Sequence, residues 1–360
     1  MGEAVMSDQR TVPFEIGGRA IGDGEPVYII AELSANHHQS VDRAIELVHV
    51  AHRAGADAVK LQTYTPDTMT IDCDASPFRI GAGTIWEGRN LHELYAEAQT
   101  PWEWHEPLAR EAAELGLHCL STPFDSSAVR FLDDLAFPAL KIASFELVDL
   151  ELIASAAATG RPLVISTGMA TAEEIEAAVC TARLNGDGGI ALLRCNSAYP
   201  APAAEMDLRT IPDMAQRWQC PIGLSDHSMG STAAIVAVAL GASILEKHIT
   251  LSREEPGPDS SFSLEPDEFA ALVRDVRDAE AAVGAVRYGP QERERASLAF
   301  RRSIFAVADI AAGEQLSRNN VRVIRPGDGL APAHLPRVLG RRAAVAVSRG
   351  TPIAWNLLSD

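Results

Sequence analysis

No stretch of this sequence approaches the roughly 20 consecutive apolar residues that a membrane-spanning helix needs. Its first ten residues, Met1 to Arg10, lack the apolar core of a secretory signal peptide, so a cytoplasmic protein without a membrane association is expected. Cysteine is sparse: Cys73, Cys119, Cys180, Cys195 and Cys220 stand singly, with no CxxC pair. An odd, scattered set fits reduced thiols better than a disulfide framework or a zinc knuckle. Basic residues are also short, with 31 Lys and Arg against 49 Asp and Glu, a formal charge of −18. That balance argues against nucleic-acid or anionic-membrane partners, which require basic patches. Any site for an anionic substrate must then be basic only locally. There is no internal repeat and no low-complexity segment.

What is present is 47% hydrophobic and 22% charged residues, enough for a sizeable core. Short apolar runs of strand length alternate with amphipathic helical stretches, the pattern of a parallel α/β fold. The runs are expected at residues 27–33, 58–61, 117–121, 139–143, 162–166, 190–194, 221–224 and 243–246. The matching helices are expected near 41–54, 102–115, 127–135, 150–159, from Thr171, 208–218, 232–240 and 266–283. Val41, Ala44, Ile45, Val48 and Ala51 recur at helical spacing, and Thr171 to Glu174 reads as a capping box. Eight strand–helix pairs point to a (β/α)8 TIM barrel over residues 12–287. A doubly wound open sheet is the alternative, and no GxGxxG follows the first strand to support it. Residues 288–298 are polar and read as a linker; 299–360 carry short apolar runs at 302–310, 321–325 and 343–347, split by Gly- and Pro-bearing turns, as in a small, mostly-β domain. Residues 63–100 are too long for an ordinary loop, and Phe78, Trp86 and Tyr95 within them suggest a lid or a wall over the site.

In such a barrel the strand C-termini form the active face, and here they are loaded with polar groups. Glu32 and Ser34 end the first strand; Lys60 and Gln62, Lys141, Ser144 and Glu146, Ser166, Ser197 and Tyr199, Ser225, Asp226 and His227, and Glu246 and His248 occupy the others. A serine after a strand is commonly a cap, a strand-end lysine commonly reaches solvent, and a lone histidine is commonly a core residue. Charges inside otherwise apolar strand runs, on all eight ends, are better explained by one convergent site. Lys60 and Lys141 with the hydroxyls of Ser144, Ser166, Ser197 and Ser225 form a donor-rich cradle for phosphate and carboxylate. His227 and His248, on neighbouring strands, can reach one cation, with a carboxylate and water completing an open divalent site; two structural histidines are the alternative. Glu32, Glu146, Asp226 and Asp259 are candidate acid/base or sugar-binding carboxylates, or structural partners of the lysines.

Ile30-Ala-Glu-Leu-Ser-Ala-Asn-His37, Ala54-Gly-Ala-Asp-Ala-Val-Lys-Leu-Gln-Thr63, Lys141-Ile-Ala-Ser144, Ser166-Thr-Gly-Met169, Gly223-Leu-Ser-Asp-His227, Glu246-Lys-His248 and Gly257-Pro-Asp259 resemble the barrel of the sialic-acid synthase family. Arg301-Arg-Ser303, Asp309-Ile-Ala-Ala-Gly-Glu314 and Arg325-Pro-Gly-Asp-Gly329 resemble its antifreeze-like (SAF) domain. Tyr64-Thr-Pro-Asp-Thr68, Trp86-Glu-Gly-Arg89, Thr100-Pro-Trp-Glu-Trp-His105, Ser144-Phe-Glu146 and Ser197-Ala-Tyr-Pro-Ala-Pro202 look most like the pseudaminic acid synthases within that family; Asn196 departs from its pattern, where Thr is expected. The resemblance implies condensation of phosphoenolpyruvate with an N-acetylated amino sugar. Lys60, Lys141, Ser144, Ser166, Ser197 and Ser225 would hold phosphoenolpyruvate, and His227 and His248 would bind Mn²⁺ or Mg²⁺. Glu146 would handle the water or hydroxyl proton, and Glu32, Gln62, Tyr199 and Asp259 would face the sugar. Glu32, Lys60, Glu146 and His248 would be the catalytic set. It further implies a domain-swapped homodimer in which Arg325 of the partner subunit completes the site. The alternatives are a sibling taking N-acetylmannosamine or the legionaminic precursor, a metal-dependent pyruvate aldolase, and a non-catalytic binding protein.

Overall fold

The computed structural model describes residues 12 and 14–359, so Met1 to Arg10, where no leader is expected, lie outside the described residues. The chain divides into two compact units, Met1–Gly284 and Ala285–Asp360.

The first unit opens with a hairpin, β1 (Phe14–Ile16) and β2 (Arg19–Ile21), turned by Gly17 and Gly18, both at positive φ. Sequence patterning missed it, because three-residue strands are too short for alternation to register. Eight parallel strands follow: β3 (Tyr28–Glu32), β4 (Ala58–Thr63), β5 (His118–Pro123), β6 (Leu140–Ile142), β7 (Leu163–Ser166), β8 (Ile190–Cys195), β9 (Ile222–Asp226) and β10 (Ile244–His248). They close into a barrel, β10 pairing with β3. The α-helices of the unit are α1 (Val41–Ala54), α2 (Pro66–Met69), α3 (Leu91–Ala98), α4 (His105–Glu114), α5 (Ser126–Asp134), α6 (Leu150–Ala157), α7 (Ala172–Asn185), α8 (Thr210–Trp218), α9 (Thr232–Ala239) and α10 (Pro266–Val283), with short 3₁₀ turns between some of them.

Local chemistry sets these boundaries. Ser40 accepts from Arg43 N at the start of α1, and Gly55, left-handed at φ 87°, ends it. Thr171 and Glu174 form the expected capping box on α7, and Pro266 opens α10.

Strand alternation sorts side chains into two cores. Ile29, Ala31, Val59, Leu61, Leu192, Leu224 and Leu245 face outward and pack in the core shared with the helices. Tyr28, Ile30, Ala58, Leu120, Val164, Leu193 and Ile244 face inward and pack with Ile16 and Ile21 of the hairpin. The hairpin thus belongs to the apolar floor of the barrel.

Four strands run two residues further than the apolar pattern indicates. β4 continues to Thr63, β5 to Pro123, β9 to Asp226 and β10 to His248, because the ladder is maintained through Thr63↔Pro123, Lys247↔Asp226 and His248↔Glu32. Backbone pairing does not require apolar side chains, so polar residues expected in loops are held on rigid strand.

In the second unit β11 (Ser303–Ala306) pairs antiparallel with β12 (Val321–Ile324), and β13 (Arg342–Ala343) with β14 (Leu358–Ser359), beside α11 (Leu335–Val338). Ile304, Ile310, Leu316, Val321, Val338 and Ile353 are its core. The run expected over 343–347 pairs only through β13 and the bridge Ile310↔Val347, because the chain bends at 344–345. The stretch expected as a linker contains a 3₁₀ helix, Glu292–Phe300.

Candidate active site

Above the floor, the inward-facing positions turn polar. Glu32 continues the face of Tyr28 and Ile30, Lys60 that of Ala58, Thr122 that of Leu120, Ser166 that of Val164, and Glu246 and His248 that of Ile244, each two residues on. They line a cavity of about 430 Å³ together with Ser34, Gln62, Lys141, Ser144, Glu146, Tyr199, Ser225, His227 and Asp259. Every expected first-unit site residue except Ser197 and Asp226 therefore meets in one place. Ser197 lines an adjoining cavity; its hydroxyl and that of Ser144 both crowd Gly168, where a Cβ would lie 2.8 Å from Ser144 Oγ. Only glycine there lets the two hydroxyls approach β7, and Gly168 N–H donates to Ser144 Oγ at 3.1 Å. Arg325 lies in the second unit just after β12. It is exposed and, among the described residues, its side chain has no hydrogen bond or ion pair.

The two lysines differ. Lys60 Nζ lies 2.6 Å from Glu32 Oε2 and 3.5 Å from Glu246 Oε1, and donates to Thr122 Oγ1 at 3.0 Å. Burial pulls its pKa down, but the two carboxylates outweigh this and hold Lys60 above its ordinary value. Its charge is therefore internally compensated. Lys141 donates to Ser166 Oγ at 2.6 Å and to Ile142 O at 3.1 Å, and has no carboxylate within ion-pair distance among the described residues. Burial lowers its pKa. Glu246 acts on it only from beyond ion-pair distance and does not outweigh burial, so an anion bound beside this ammonium is favoured. Lys141 is the cation that an anionic substrate would meet.

Glu246, a strand-end group given no role from the sequence, lines the cavity with them. Burial alone would raise its pKa, but Lys141, Lys60 and His227 outweigh that and hold it below the usual carboxylate range. Two signals in the sequence mark it: its spacing of two from His248 on one strand, and the fact that the chain has only three lysines, Lys60, Lys141 and Lys247, each inside a barrel strand. Glu32 goes the other way; burial raises it to about 7 despite Lys60. Glu32 Oε1 accepts from Gln62 at 3.0 Å, and Gln62 also donates to Ser34 Oγ at 3.2 Å. Glu146, in the 3₁₀ turn Ser144–Glu146, is raised to about 7 by burial, and its Oε2 has no hydrogen-bond partner. Asp259 is raised by burial and accepts from Ser34 Oγ. Asp226 does not belong to this set: its carboxylate pairs with Lys247 at 2.8 Å, both side chains fully buried, in the layer facing the helices. Its role is structural.

His227 and His248 lie with ring centroids 5.4 Å apart. Two imidazoles bound to one ion through bonds of about 2 Å have centroids roughly 5–6 Å apart, so the pair can share a cation. His227 Nδ1 donates to Asn196 O at 2.8 Å, which leaves Nε2 with its lone pair free, and Tyr199 packs on the ring at 4.4 Å. His248 is buried, its pKa is held well below the ordinary value by burial, and its Nδ1 has no hydrogen-bond partner. A neutral imidazole is the form that binds metal, and His248 is held in it; the pKa of His227 is instead raised, its contact with Cys195 outweighing burial, so His227 would give up its proton to a metal. No group of three or more His, Cys, Asp or Glu side chains among the described residues could hold a metal, so the carboxylate ligand expected beside the histidines is not found.

Residues 64–98 wall the cavity. Tyr64, Ile80, Trp86, Leu94 and Tyr95 line it, and Trp86 Nε1 donates to Pro258 O at 2.8 Å, joining this segment to the loop after β10. Asn196, which replaces the expected Thr, holds its own loop by donating to Glu205 O at 3.0 Å and accepting from Ala198 N at 2.9 Å.

Fold and site together define a (β/α)8 enzyme acting on a small anionic substrate. The chain belongs to the NeuB family, whose model matches residues 47–288, and a SAF domain matches residues 301–359. It is 41% identical to a pseudaminic acid synthase of Helicobacter pylori over 92% of this chain and 97% of that one. It is 40% identical to a pseudaminic acid synthase of Campylobacter jejuni over 90% of this chain and 94% of that one. The crystal structure of the Bacillus subtilis spore coat polysaccharide biosynthesis protein spsE, 34% identical, superimposes with a TM-score of 0.66, covering 97% of this chain and 99% of that one.

Proposed function

We propose that the protein is a pseudaminic acid synthase, condensing phosphoenolpyruvate with 2,4-diacetamido-2,4,6-trideoxy-altrose to give a nonulosonic acid and inorganic phosphate. The observation that carries this is Lys141, buried, bonded to Ser166 and without an ion pair, in a cavity that Ser144, Ser225 and two imidazoles able to share an ion also line. An aldolase acting on pyruvate would have no use for a phosphate cradle. The 41% identity to the H. pylori enzyme favours the pseudaminic acceptor among the family's sugars.

Lys141 with Ser144, Ser166, Ser197 and Ser225 holds the phosphate, and Lys60 with Thr122 meets the carboxylate. A divalent ion, Mn²⁺ or Mg²⁺, held by His227 and His248 would polarise the aldehyde oxygen of the open-chain sugar. Carbon 3 of the enol attacks the aldehyde carbon, and the electron deficiency left at carbon 2 is met by water. Glu146, with a pKa near 7 and a free carboxylate oxygen, accepts the proton of that water. The tetrahedral centre then collapses to the ketone, breaking the C–O bond and releasing phosphate. Glu32, Gln62, Tyr199 and Asp259 orient the sugar. Glu246 sits between Lys60 and Lys141 and keeps both oriented toward the anion.

The enzyme works in the cytoplasm as a domain-swapped homodimer, with Arg325 of the partner subunit reaching the sugar. Residues 12–287 and 299–360 are its two functional modules. No helix among the described residues is long and apolar enough to cross a membrane.

The test is phosphate release from phosphoenolpyruvate with three acceptors: the diacetamido altrose sugar, the legionaminic precursor and N-acetylmannosamine. Turnover is expected with the first, lost on chelation and restored by Mn²⁺ or Mg²⁺. Turnover only with N-acetylmannosamine would overturn the assignment. For the dimer, mixed subunits carrying Lys141→Ala and Arg325→Ala separately should recover activity that neither variant has alone.

A further inference from the structure

The two candidate metal ligands are held differently. His248 Nδ1 has no hydrogen-bond partner, whereas His227 is gripped by the loop that follows β8. Asn196 O meets His227 Nδ1 at 2.8 Å, Ala201 N donates to His227 O at 3.0 Å, and the Tyr199 ring packs on the imidazole with centroids 4.4 Å apart. A carbonyl can only accept, so Nδ1 carries the hydrogen and Nε2 is the atom left for a cation. Cys195 Sγ, the other group near Nδ1, stands at 3.8 Å, and sulfur is a weak acceptor beside a carbonyl oxygen. The shape of this loop depends on the side chain of Asn196. Its Oδ1 accepts from Ala198 N at 2.9 Å, closing an Asx turn, and its Nδ2 donates to Glu205 O at 3.0 Å, tying the start of the loop to its end. One half-buried residue therefore shapes the loop with its side chain and holds the imidazole with its backbone.

We propose that Asn196 is a positioning residue for the metal: its carboxamide holds in place the carbonyl that fixes the tautomer and direction of His227, and so sets the affinity for the divalent ion. The inference rests on the metal-dependent reading given above. A group that accepts from the far nitrogen of a metal-binding histidine orients the ring and raises its basicity, and losing one costs roughly 10–100-fold in metal affinity. Here that group is a main-chain carbonyl, which no substitution deletes. Only the side chain that shapes its loop can be changed, so the effect belongs at the low end of that range. Thr, the residue expected at this position, would keep part of the arrangement. Its hydroxyl closes the same turn more weakly and is shorter than the carboxamide that reaches Glu205. The Asn found here adds a second tie across the loop.

The experiment measures Mn²⁺ binding by calorimetry to full-length, chelator-stripped wild type, Asn196→Ala and Asn196→Thr, with the folded fraction recorded on the same samples. Asn196→Ala should weaken Mn²⁺ binding about ten-fold and raise the Mn²⁺ concentration for half-maximal turnover by the same factor. Asn196→Thr should recover part of that loss. Mn²⁺ affinity per folded protein that is the same in Asn196→Ala as in wild type overturns the inference. A measurement on the wild type holds whether or not the variants fold. In nitrogen NMR of isotopically labelled histidine, at alkaline pH where the ring is neutral, the His227 signals, identified by their loss in His227→Gln, should be those of the Nδ1–H tautomer. Signals of the Nε2–H tautomer overturn the inference. If wild type binds no Mn²⁺, the metal reading fails and this inference with it; if wild type binds Mn²⁺ and Asn196→Ala binds it equally, the inference alone fails.

Discussion

Lys247 and Lys60 are both withdrawn from water inside one barrel, yet they do opposite things. Lys247 lies in the layer between strands and helices and pairs with Asp226, whose other oxygen accepts from Ser228 N at 2.9 Å and Ser228 Oγ at 2.6 Å, while Nζ also donates to Ser228 O. Both oxygens of the carboxylate are taken. Lys60, on the inner face, contacts two carboxylates, and around it Glu246 Oε2, Glu146 Oε2 and His248 Nδ1 are buried without hydrogen-bond partners. Buried polar groups are nearly always satisfied, so the residue types alone do not separate scaffold from site; the unmet hydrogen bonds do. Arg43 and Asp125 also carry unmet groups, but away from the cavity; the site is marked by several of them lining one cavity.

The contrast can be broken most forcefully at Lys247. Replacing it with Met leaves Asp226 as a buried unpaired charge, and urea denaturation should show a loss of about 3–5 kcal/mol. The kcat of the remaining folded protein should stay within two-fold. Converting the pair together, Lys247→Met with Asp226→Leu, should recover most of that stability. A fall in kcat/KM at full folding would place Lys247 in the chemistry and erase the distinction.

At Lys141 the expectation reverses. Lys141→Ala should lower kcat/KM for phosphoenolpyruvate by about 10²–10³-fold, the scale for removing an aligned electrostatic contact. Unfolding midpoints should hold or rise, because a buried ammonium whose desolvation outweighs its attraction to Glu246 has been removed. Destabilisation as large as that of the Lys247 variant would make Lys141 a scaffold residue.

Glu146 sharpens the comparison through pH. If its ionised form accepts the proton of water, kcat should fall as pH drops below about 7, and Glu146→Gln should remove that limb with a loss of about 10²-fold in kcat. Stability should follow the opposite course. The folded-state pKa of about 7 lies above the ordinary 4.5, so the native protein binds this proton more tightly than the unfolded chain. The resulting stabilisation is complete below 4.5 and is lost as pH rises through about 7. Denaturation midpoints at pH 5 and pH 8 should converge in the Gln variant by the share Glu146 contributes, Glu32 supplying a slope of the same sign.

The smallest effect belongs to the scaffold. Thr171→Ala removes the capping box of α7 and should cost about 1 kcal/mol. Kinetic constants should not change, since Thr171 caps a helix and reaches no group in the cavity. A kinetic effect would show that the end of β7 transmits strain to Ser166.

Much of this was determined locally and was legible in the chain itself. α1 and α10 occupy the expected spans because periodicity, a serine cap, a left-handed glycine and a first-turn proline act within a few residues. The placement of Lys60, Lys141, Ser166, Ser225 and His248 at strand ends follows from the same local patterning, and barrel closure then brings them together. Three-residue strands such as β1 and β2 carry too little periodicity to be read, and the polar ends of β9 and β10 resemble loop sequence although the ladder holds them. What the tertiary structure alone decided is which way each charge faces and whether it is satisfied. Asp226 and Glu246 are both acidic residues at strand ends, and only the barrel's inner and outer layers make one a saturated partner of Lys247 and the other a member of the site. The reason is physical: strand periodicity is a property of the local chain, whereas burial, counter-charge and hydrogen-bond satisfaction depend on neighbours that closure brings from distant sequence.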